Sequence, residues 1–225
     1  MFLAVDTVFD QCSVAVVDDN QQIISCITQP GKREQTQLIL PMIDNALKQA
    51  EVKLAHMTAL IFNRGPGPFS GIRINTAVVQ ALSVAHDLSC VGVSSLAAIA
   101  QAAFEEKGTE RVYSAFDARM KQVYFAEYQL LPESQIMSLV ASNPEQLLDY
   151  DQSTDNNFPI AGNGATLLTP HKGQVIYDEV QPNAVTLAKL GIAQYYQLGG
   201  VPAELALPVY LRNDAWKTLK EQGKA

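Results

Sequence analysis

The sequence has little of what stapled, metal-bound or membrane-spanning proteins need. Its 225 residues include three cysteines, three histidines and one tryptophan. The number of cysteines is odd, and Cys12, Cys26 and Cys90 each lie in an apolar stretch, which predicts buried reduced thiols. A chain of this length folds without disulfides. No stretch approaches the roughly 20 apolar residues of a membrane span, and the first residues lack a basic region. We therefore expect a cytoplasmic protein with no membrane contact.

Positive charge is also scarce. Sixteen lysines and arginines against 23 aspartates and glutamates give a formal net charge of −7. Such a surface does not gather phosphate backbones by counterion release. Any role in nucleic-acid chemistry is then expected to depend on a partner that supplies the basic surface.

Signatures of metal-based and nucleophilic catalysis are missing from the chain. His56, His86 and His171 are scattered, and none has a second ligand at a suitable spacing. No strained nucleophile turn surrounds a serine or cysteine. The sequence predicts no metal site and gives a hydrolase little support, although a triad assembles in space rather than in sequence.

Hydrophobic patterning predicts a mixed α/β protein made of two halves. Three short strands are predicted at residues 3–5, 13–17 and 23–28. Helices and strands then alternate up to residue 105, with Pro41 expected to bend or delay the first helix. The resulting order, β-β-β-α-β-α-β-α, favours a mixed sheet with helices on its faces.

A repeat of the opening segment marks the second half. Residues 114–128, SAFDARMKQVYFAEY, resemble residues 3–17, and Asp117 takes the place of Asp6. Fewer elements follow, mainly a turn at 160–165 and a helix at 185–198. We predict a first lobe at 1–106 and a reduced second lobe at 107–207, with segment 208–225 as a candidate to complete the first.

Asp6 and Thr7, at the end of the first strand, are candidate phosphate-proximal residues. Phosphotransferases of one large group present an acid and a hydroxyl in this way to a phosphate and its metal. The alternative is an Asx turn, in which Asp6 only caps the backbone.

The loop RGPGPFSGIRI, residues 64–74, is a second candidate site. Its glycines and prolines fix an unusual backbone before a helix whose free N–H groups would hold an anion. The phosphate-proximal candidates here are Arg64, Gly65, Gly67 and Gly71. The pattern is neither a Walker loop nor a dinucleotide fingerprint, and a rigid connector is the alternative. Gly162 and Gly164 likewise suit either a nucleotide or an ordinary turn.

The helix predicted at residues 72–85 is apolar on nearly every side. One face packs on the sheet, and the other still needs cover. This favours a subunit interface, unless the second lobe covers that face. The candidate interface residues are Arg73, Ile74, Val78, Ala81, Leu82 and Ala85.

Six ordered segments together resemble the TsaB family, also called YeaZ, of bacterial threonylcarbamoyladenosine biosynthesis. They are LAVDT with CSVAVV, REQTQLILPMI, RGPGPFSGIRI, GVSSLAAIA, DARMKQVYFAEY and PVYLRNDAWK. The resemblance implies a two-lobed fold like that of actin, sugar kinases and heat-shock ATPases, with each lobe of β-β-β-α-β-α type. Three positions depart from the expected pattern: Gln35 replaces a histidine, Pro68 a serine and Asn75 a glycine. Asn75 would hinder the closest helix packing at an interface.

The resemblance also implies a function. Family members do not catalyse the modification themselves, but pair through first-lobe helices with a larger paralogue, TsaD. TsaD carries the metal and transfers threonylcarbamoyl to adenosine 37 of transfer RNAs that read ANN codons, and the ATPase TsaE completes the assembly. The implied chain binds no cofactor tightly, has ATP or ADP only at the complex boundary, meets tRNA only through the complex, and forms a homodimer when isolated.

Two other functions stay open at this point. A small-molecule kinase of the same superfamily would use Asp6, Thr7 and the glycine turns, although the short second half leaves little room for adenosine. A peptidase is suggested only by an old label on relatives of the family.

Overall fold

The fold is built from two mixed sheets. The computed structural model describes residues 1–31 and 33–212. The predicted segments 208–217 and 208–225 both extend past residue 212, and that later part of each lies outside the described residues. Its strands are β1 Phe2–Asp6, β2 Gln11–Val17, β3 Ile23–Pro30, β4 Ala59–Gly65, β5 Ser89–Ser94, β6 Arg111–Arg119, β7 Gln122–Leu131, β8 Ile136–Leu139, β9 Gln146–Asp149, β10 Ile160–Ala161 and β11 Ile176–Tyr177. Its α-helices are α1 Gln35–Gln49, α2 Phe69–His86, α3 Ser95–Lys107 and α4 Ala184–Leu198.

The two sheets have the same strand order. The first runs β3-β2-β1-β4-β5, and the second runs β8-β7-β6-β10-β11, with β9 pairing to β7. In both sheets the three hairpin strands are antiparallel and the next two are parallel to the first. This confirms the predicted duplication and fold class. The second lobe is reduced because a short 3-10 turn, Ala165–Leu167, stands between β10 and β11 where α2 stands in the first.

Local sequence explains where the helices lie. α1 buries Ile39, Met42, Ile43 and Ala46, which recur at three-four spacing. Pro41 lies inside α1 and does not delay its start. Ser94 caps α3, because its hydroxyl accepts hydrogen bonds from the backbone N–H groups of Leu96 and Ala97. None of the helices within the described ranges combines the length and hydrophobicity that a membrane crossing requires.

Helices α3 and α4 pack between the two sheets. α3 contacts β6, β7 and β8 of the second sheet, whereas α4 contacts β1, β2, β4 and β5 of the first. The assignment of the helix at 185–198 to the second lobe is therefore wrong by its contacts. The position of this helix is set by apolar packing between distant segments, because one buried cluster contains residues of both lobes.

The cysteine prediction is correct for two of the three residues. Cys12 and Cys90 are buried, but Cys26 is exposed. Cys26 lies on β3, the edge strand of the first sheet, and one side of that strand faces solvent. The cysteines that the structure describes form no disulfide.

Gly191 sets how closely α4 approaches the first sheet. A Cβ at this position would lie 2.4 Å from Cγ2 of the buried Ile61. Glycine to alanine inside a helix normally stabilises by about 1 kcal/mol. Here we expect Gly191→Ala to destabilise by about 1–3 kcal/mol, because the β-branched Ile61 side chain has little freedom to move. Urea unfolding measures the change.

Gln197→Ala serves as the matched control, since Gln197 is exposed on the same helix. Its free energy of unfolding should stay within about 0.5 kcal/mol of wild type. An increase in stability on Gly191→Ala would contradict this account of the packing between α4 and β4.

Candidate partner interface and interlobe cleft

Asp6 is a buried turn residue. Its Oδ1 accepts hydrogen bonds from the Val8 backbone N–H at 2.9 Å and from Asn63 Nδ2 at 3.2 Å. The bond to Val8 is that of an Asx turn. Asp117, the equivalent acid of the second lobe, accepts the same bond from the Arg119 N–H at 2.8 Å. The repeated geometry favours the structural alternative weighed for Asp6.

The remaining phosphate-proximal candidates surround the start of α2. The Thr7 hydroxyl donates to the Gly71 carbonyl at 2.7 Å, and a Cβ on Gly71 would lie 2.5 Å from the Thr7 carbonyl oxygen. Asp6 and Thr7 are fully buried, so neither side chain reaches a ligand in this conformation. The structure thus brings Asp6, Thr7 and Gly71 together to seat the helix. Gly65, with a φ of +94°, packs against Ile72.

Arg64 belongs to a polar tie between the lobes. Its guanidinium lies 3.7 Å from a carboxylate oxygen of Glu145, and Tyr128 donates to Glu145 at 3.1 Å. Ser94 also donates to Glu145. Burial raises the pKa of the Tyr128 hydroxyl well above its usual range. Arg64 therefore already has an anionic partner within the chain.

Helix α2 buries one face and leaves the other exposed. The buried residues are Gly71, Ile72, Asn75, Thr76, Val79 and Ser83. Of the candidate interface residues, Arg73, Ala81 and Ala85 are exposed, whereas Ile74, Val78 and Leu82 are half-buried. The half-buried residues pack against the apolar cluster that includes the inner face of α1.

The second lobe does not cover the outer face of α2. In the described part of the chain, α2 packs on β1, β4, β5, α1 and the 3-10 turn Ala203–Leu205, all beside the first sheet. The alternative in which the second lobe sandwiches this helix is therefore wrong. Val84, which the sequence prediction left out of the interface, is 75% exposed.

Asn75 is not at the outer surface. It is fully buried, and its Nδ2 donates to the carbonyls of Val5 at 3.2 Å and of Asn63 at 3.0 Å. The expected obstruction of interface packing by Asn75 is therefore wrong, because its side chain points to the sheet. The sequence pattern gave no sign of this, since both acceptors are backbone groups distant along the chain.

A cleft of about 1010 Å³ separates the lobes. Phe9 and Phe116 both line it, with ring centroids 5.1 Å apart. Gly67 reaches the cleft, and a Cβ there would lie 2.9 Å from Phe116. Gly162 packs tightly against β6, because a Cβ on Gly162 would lie 2.4 Å from the carbonyl oxygen of Ala115. This close packing favours the ordinary turn over a nucleotide site.

The comparisons with known proteins agree on one family. A family model described as "TsaD: tRNA N6-adenosine threonylcarbamoyltransferase" matches residues 22–218. The chain is 35% identical to the tRNA threonylcarbamoyladenosine biosynthesis protein TsaB of Haemophilus influenzae, over 96% of each chain. The chain belongs to the TsaB family. YeaZ from Pseudomonas aeruginosa, a solved structure of 35% identity, covers 93% of this chain and 99% of its own, with a TM-score of 0.85.

The chain also resembles the transferases themselves. It is 25% identical to the tRNA N6-adenosine threonylcarbamoyltransferase of Trichlorobacter lovleyi, over 48% of this chain and 36% of that protein. Within residues 1–31 and 33–212, no group of three or more His, Cys, Asp or Glu side chains has a geometry that would hold a metal ion.

The ionisation of Asp6 gives a test of its buried position. Burial raises the pKa of the Asp6 carboxyl from 3.8 to about 7, against the lowering effect of its hydrogen bonds. Because the pKa is higher in the folded state, the stability gained from the neutral acid is full below about pH 4 and is lost as the pH rises to 7. Asp6→Asn resembles the neutral acid. From pH 5 to 8 we expect wild type to lose about 2–3 kcal/mol more than this variant, by urea unfolding.

Asp117→Asn is the matched control, because it alters the equivalent turn of the second lobe and leaves Asp6 in place. It should keep the wild-type dependence of stability on pH. An unchanged dependence in Asp6→Asn would show that Asp6 is not the buried titrating group.

Proposed function

We propose that the chain is a non-catalytic subunit of tRNA threonylcarbamoyladenosine biosynthesis that pairs through α2 with a TsaD-type subunit. Membership of the TsaB family supports the pathway. The exposed apolar face of α2 supports the pairing. The partner in this proposal holds the metal and carries out threonylcarbamoyl transfer to adenosine 37, in tRNAs that read ANN codons.

The outer face of α2 is the observation that carries the proposal. Ala77, Ala81 and Ala85 follow one another at four-residue spacing and are all exposed, with Val84 beside them. Small residues on a helix allow a second helix to approach closely. An apolar helix face that residues 1–31 and 33–212 leave uncovered favours a protein partner over solvent.

The resemblance to TsaD proteins supports the choice of partner. A TsaD family model matches 22–218, a range that includes all of α2. Two chains of one design would each present the equivalent helix, so the pair would have approximate twofold symmetry. The same surface would allow two copies of this chain to form a homodimer when TsaD is absent.

The burial of Asp6 supports a non-catalytic role. A kinase would need Asp6 to meet a phosphate or its metal, but the Asp6 carboxyl is fully buried and its Oδ1 accepts a hydrogen bond from the Val8 backbone N–H within its own turn. In the proposed assembly, ATP or ADP binds at the boundary between subunits, and TsaE joins as the ATPase. The net charge of −7 supports tRNA contact through the partner rather than through this chain.

Ala81→Glu tests the pairing. The change places a charge in the middle of the outer face, where a partner would have to desolvate it. We expect at least a tenfold loss of affinity for the TsaD-type subunit in isothermal titration calorimetry, with a melting temperature within about 2 °C of wild type because Ala81 is exposed. The homodimer should dissociate in gel filtration as well.

Ala141→Glu is the matched control, since Ala141 is an exposed alanine of the second lobe. It should bind as wild type does. Val78→Glu and Leu82→Glu are less informative, because both residues pack into the first-lobe core and their loss would also unfold it. Wild-type affinity in Ala81→Glu would contradict the assignment of α2.

A further inference from the structure

We infer that the segment at residues 201–207 forms a second strip of the docking surface for the same TsaD-type subunit. The inference rests on the proposed function and extends it beyond the helices. Neither the periodicity of α2 nor the family resemblance assigns a role to this segment. It lies after α4 and returns along the first lobe.

The segment is fixed to the first lobe at both ends and in the middle. Val201 exchanges two backbone hydrogen bonds with Cys90 of β5, at 2.7 and 2.8 Å. Gln80 of α2 donates from its Nε2 to the carbonyls of Ala203 at 3.0 Å and Ala206 at 3.1 Å. Val209 then donates to the Arg64 carbonyl at 2.8 Å. The backbone therefore runs beside α2 as part of the lobe.

Large apolar side chains on this fixed backbone point to solvent. Leu205 is 60% exposed and Leu207 is 56% exposed, whereas the nearby Ala203 and Ala206 are buried. The two alanines thus pack into the fold, whereas the two exposed leucines contribute little to its stability. Gln80 holds the segment on the flank of α2, and the exposed Val84 lines the same pocket as Val201 and Ala203, so the two apolar strips are neighbours.

Area favours a surface that is larger than the helix. An α-helix of 18 residues is about 27 Å long and about 10 Å wide, so its outer face offers roughly 270 Å². A specific interface buries about 800 Å² on each partner. The outer face of α2 is also mostly alanine, which buries little area per residue. Leu205 and Leu207 supply adjoining apolar area of the kind that an interface core needs.

Polar and aromatic groups bound this surface at the start of α2. The Arg73 guanidinium lies 3.6 Å from the centroid of the Phe69 ring, and its Nε donates to the Tyr210 hydroxyl at 3.1 Å. The Tyr210 ring lies 5.2 Å from that of Phe69. Arginine and aromatic side chains are enriched at interfaces. Tyr210 follows Leu207 by three residues, so this cluster adjoins the segment along the chain.

Single glutamates at the two leucines test the inference. We expect Leu205→Glu and Leu207→Glu each to weaken binding of the TsaD-type subunit at least tenfold in titration calorimetry. Their melting temperatures should stay within about 2 °C of wild type, because both side chains are exposed. Leu139→Glu is the matched control, since Leu139 is 42% exposed on β8 of the second sheet, and it should bind as wild type does. If a glutamate lowers the melting temperature further, the serine variant at the same position replaces it.

The outcomes separate the inference from the proposed function. Loss of binding in Ala81→Glu together with wild-type binding in both leucine variants would overturn the inference and leave the α2 pairing intact. Failure of the wild-type chain to bind a TsaD-type subunit would overturn both. A change confined to self-association, with unchanged affinity for the TsaD-type subunit, would assign the leucines to the homodimer and contradict the inference.

Discussion

The rotational setting of α2 on the first sheet determines what the molecule presents to a partner. Two buried polar contacts fix it: the Asn75 amide bonds to two strand carbonyls, and the Thr7 hydroxyl bonds to the Gly71 carbonyl. Breaking these bonds would leave buried polar groups without partners and would destabilise the fold, so a rotated helix is disfavoured. With Asn75 turned inward, Ala81 and its neighbours must face outward. The proposed interface is a consequence of this anchoring.

Duplication explains why the second lobe, as far as the structure describes it, leaves that outer face uncovered. Both lobes repeat one strand order and one Asx turn, at Asp6 and at Asp117. The second lobe has no long helix at the position equivalent to α2, and it joins the first through α3 and α4 between the sheets. In the described part of the chain, the lobes thus share a core at their common boundary, and the second lobe does not reach the opposite side of the first. A cleft remains between them, lined by aromatic rings and by the second-lobe hairpin.

Local patterns predicted much of this architecture from the sequence. Three-four spacing located α1 and α2, and the repeat around Asp117 indicated two lobes of one design. Features that depend on contacts between distant segments could not be predicted from local patterns. These are the packing of α4 on the first sheet, the inward position of Asn75 and the exposure of Cys26 on an edge strand. Asp6 shows the same limit, because the sequence pattern of an acid at the end of a strand is the same whether the acid is buried or open to a ligand. Leu205 and Leu207 lie in a segment without periodicity, so the docking role proposed for them rests on their exposure and on the anchoring by Gln80.

The central claim is that a TsaD-type subunit covers the outer face of α2. The most direct measurement is the rate at which maleimide labels a cysteine introduced by Ala81→Cys, in a chain whose exposed Cys26 is changed to serine, with and without the TsaD-type subunit. We predict that labelling slows at least tenfold in the complex, while a cysteine introduced by Ala141→Cys labels at an unchanged rate. Equal labelling of position 81 in the free chain and in a complex that elutes intact would contradict the account.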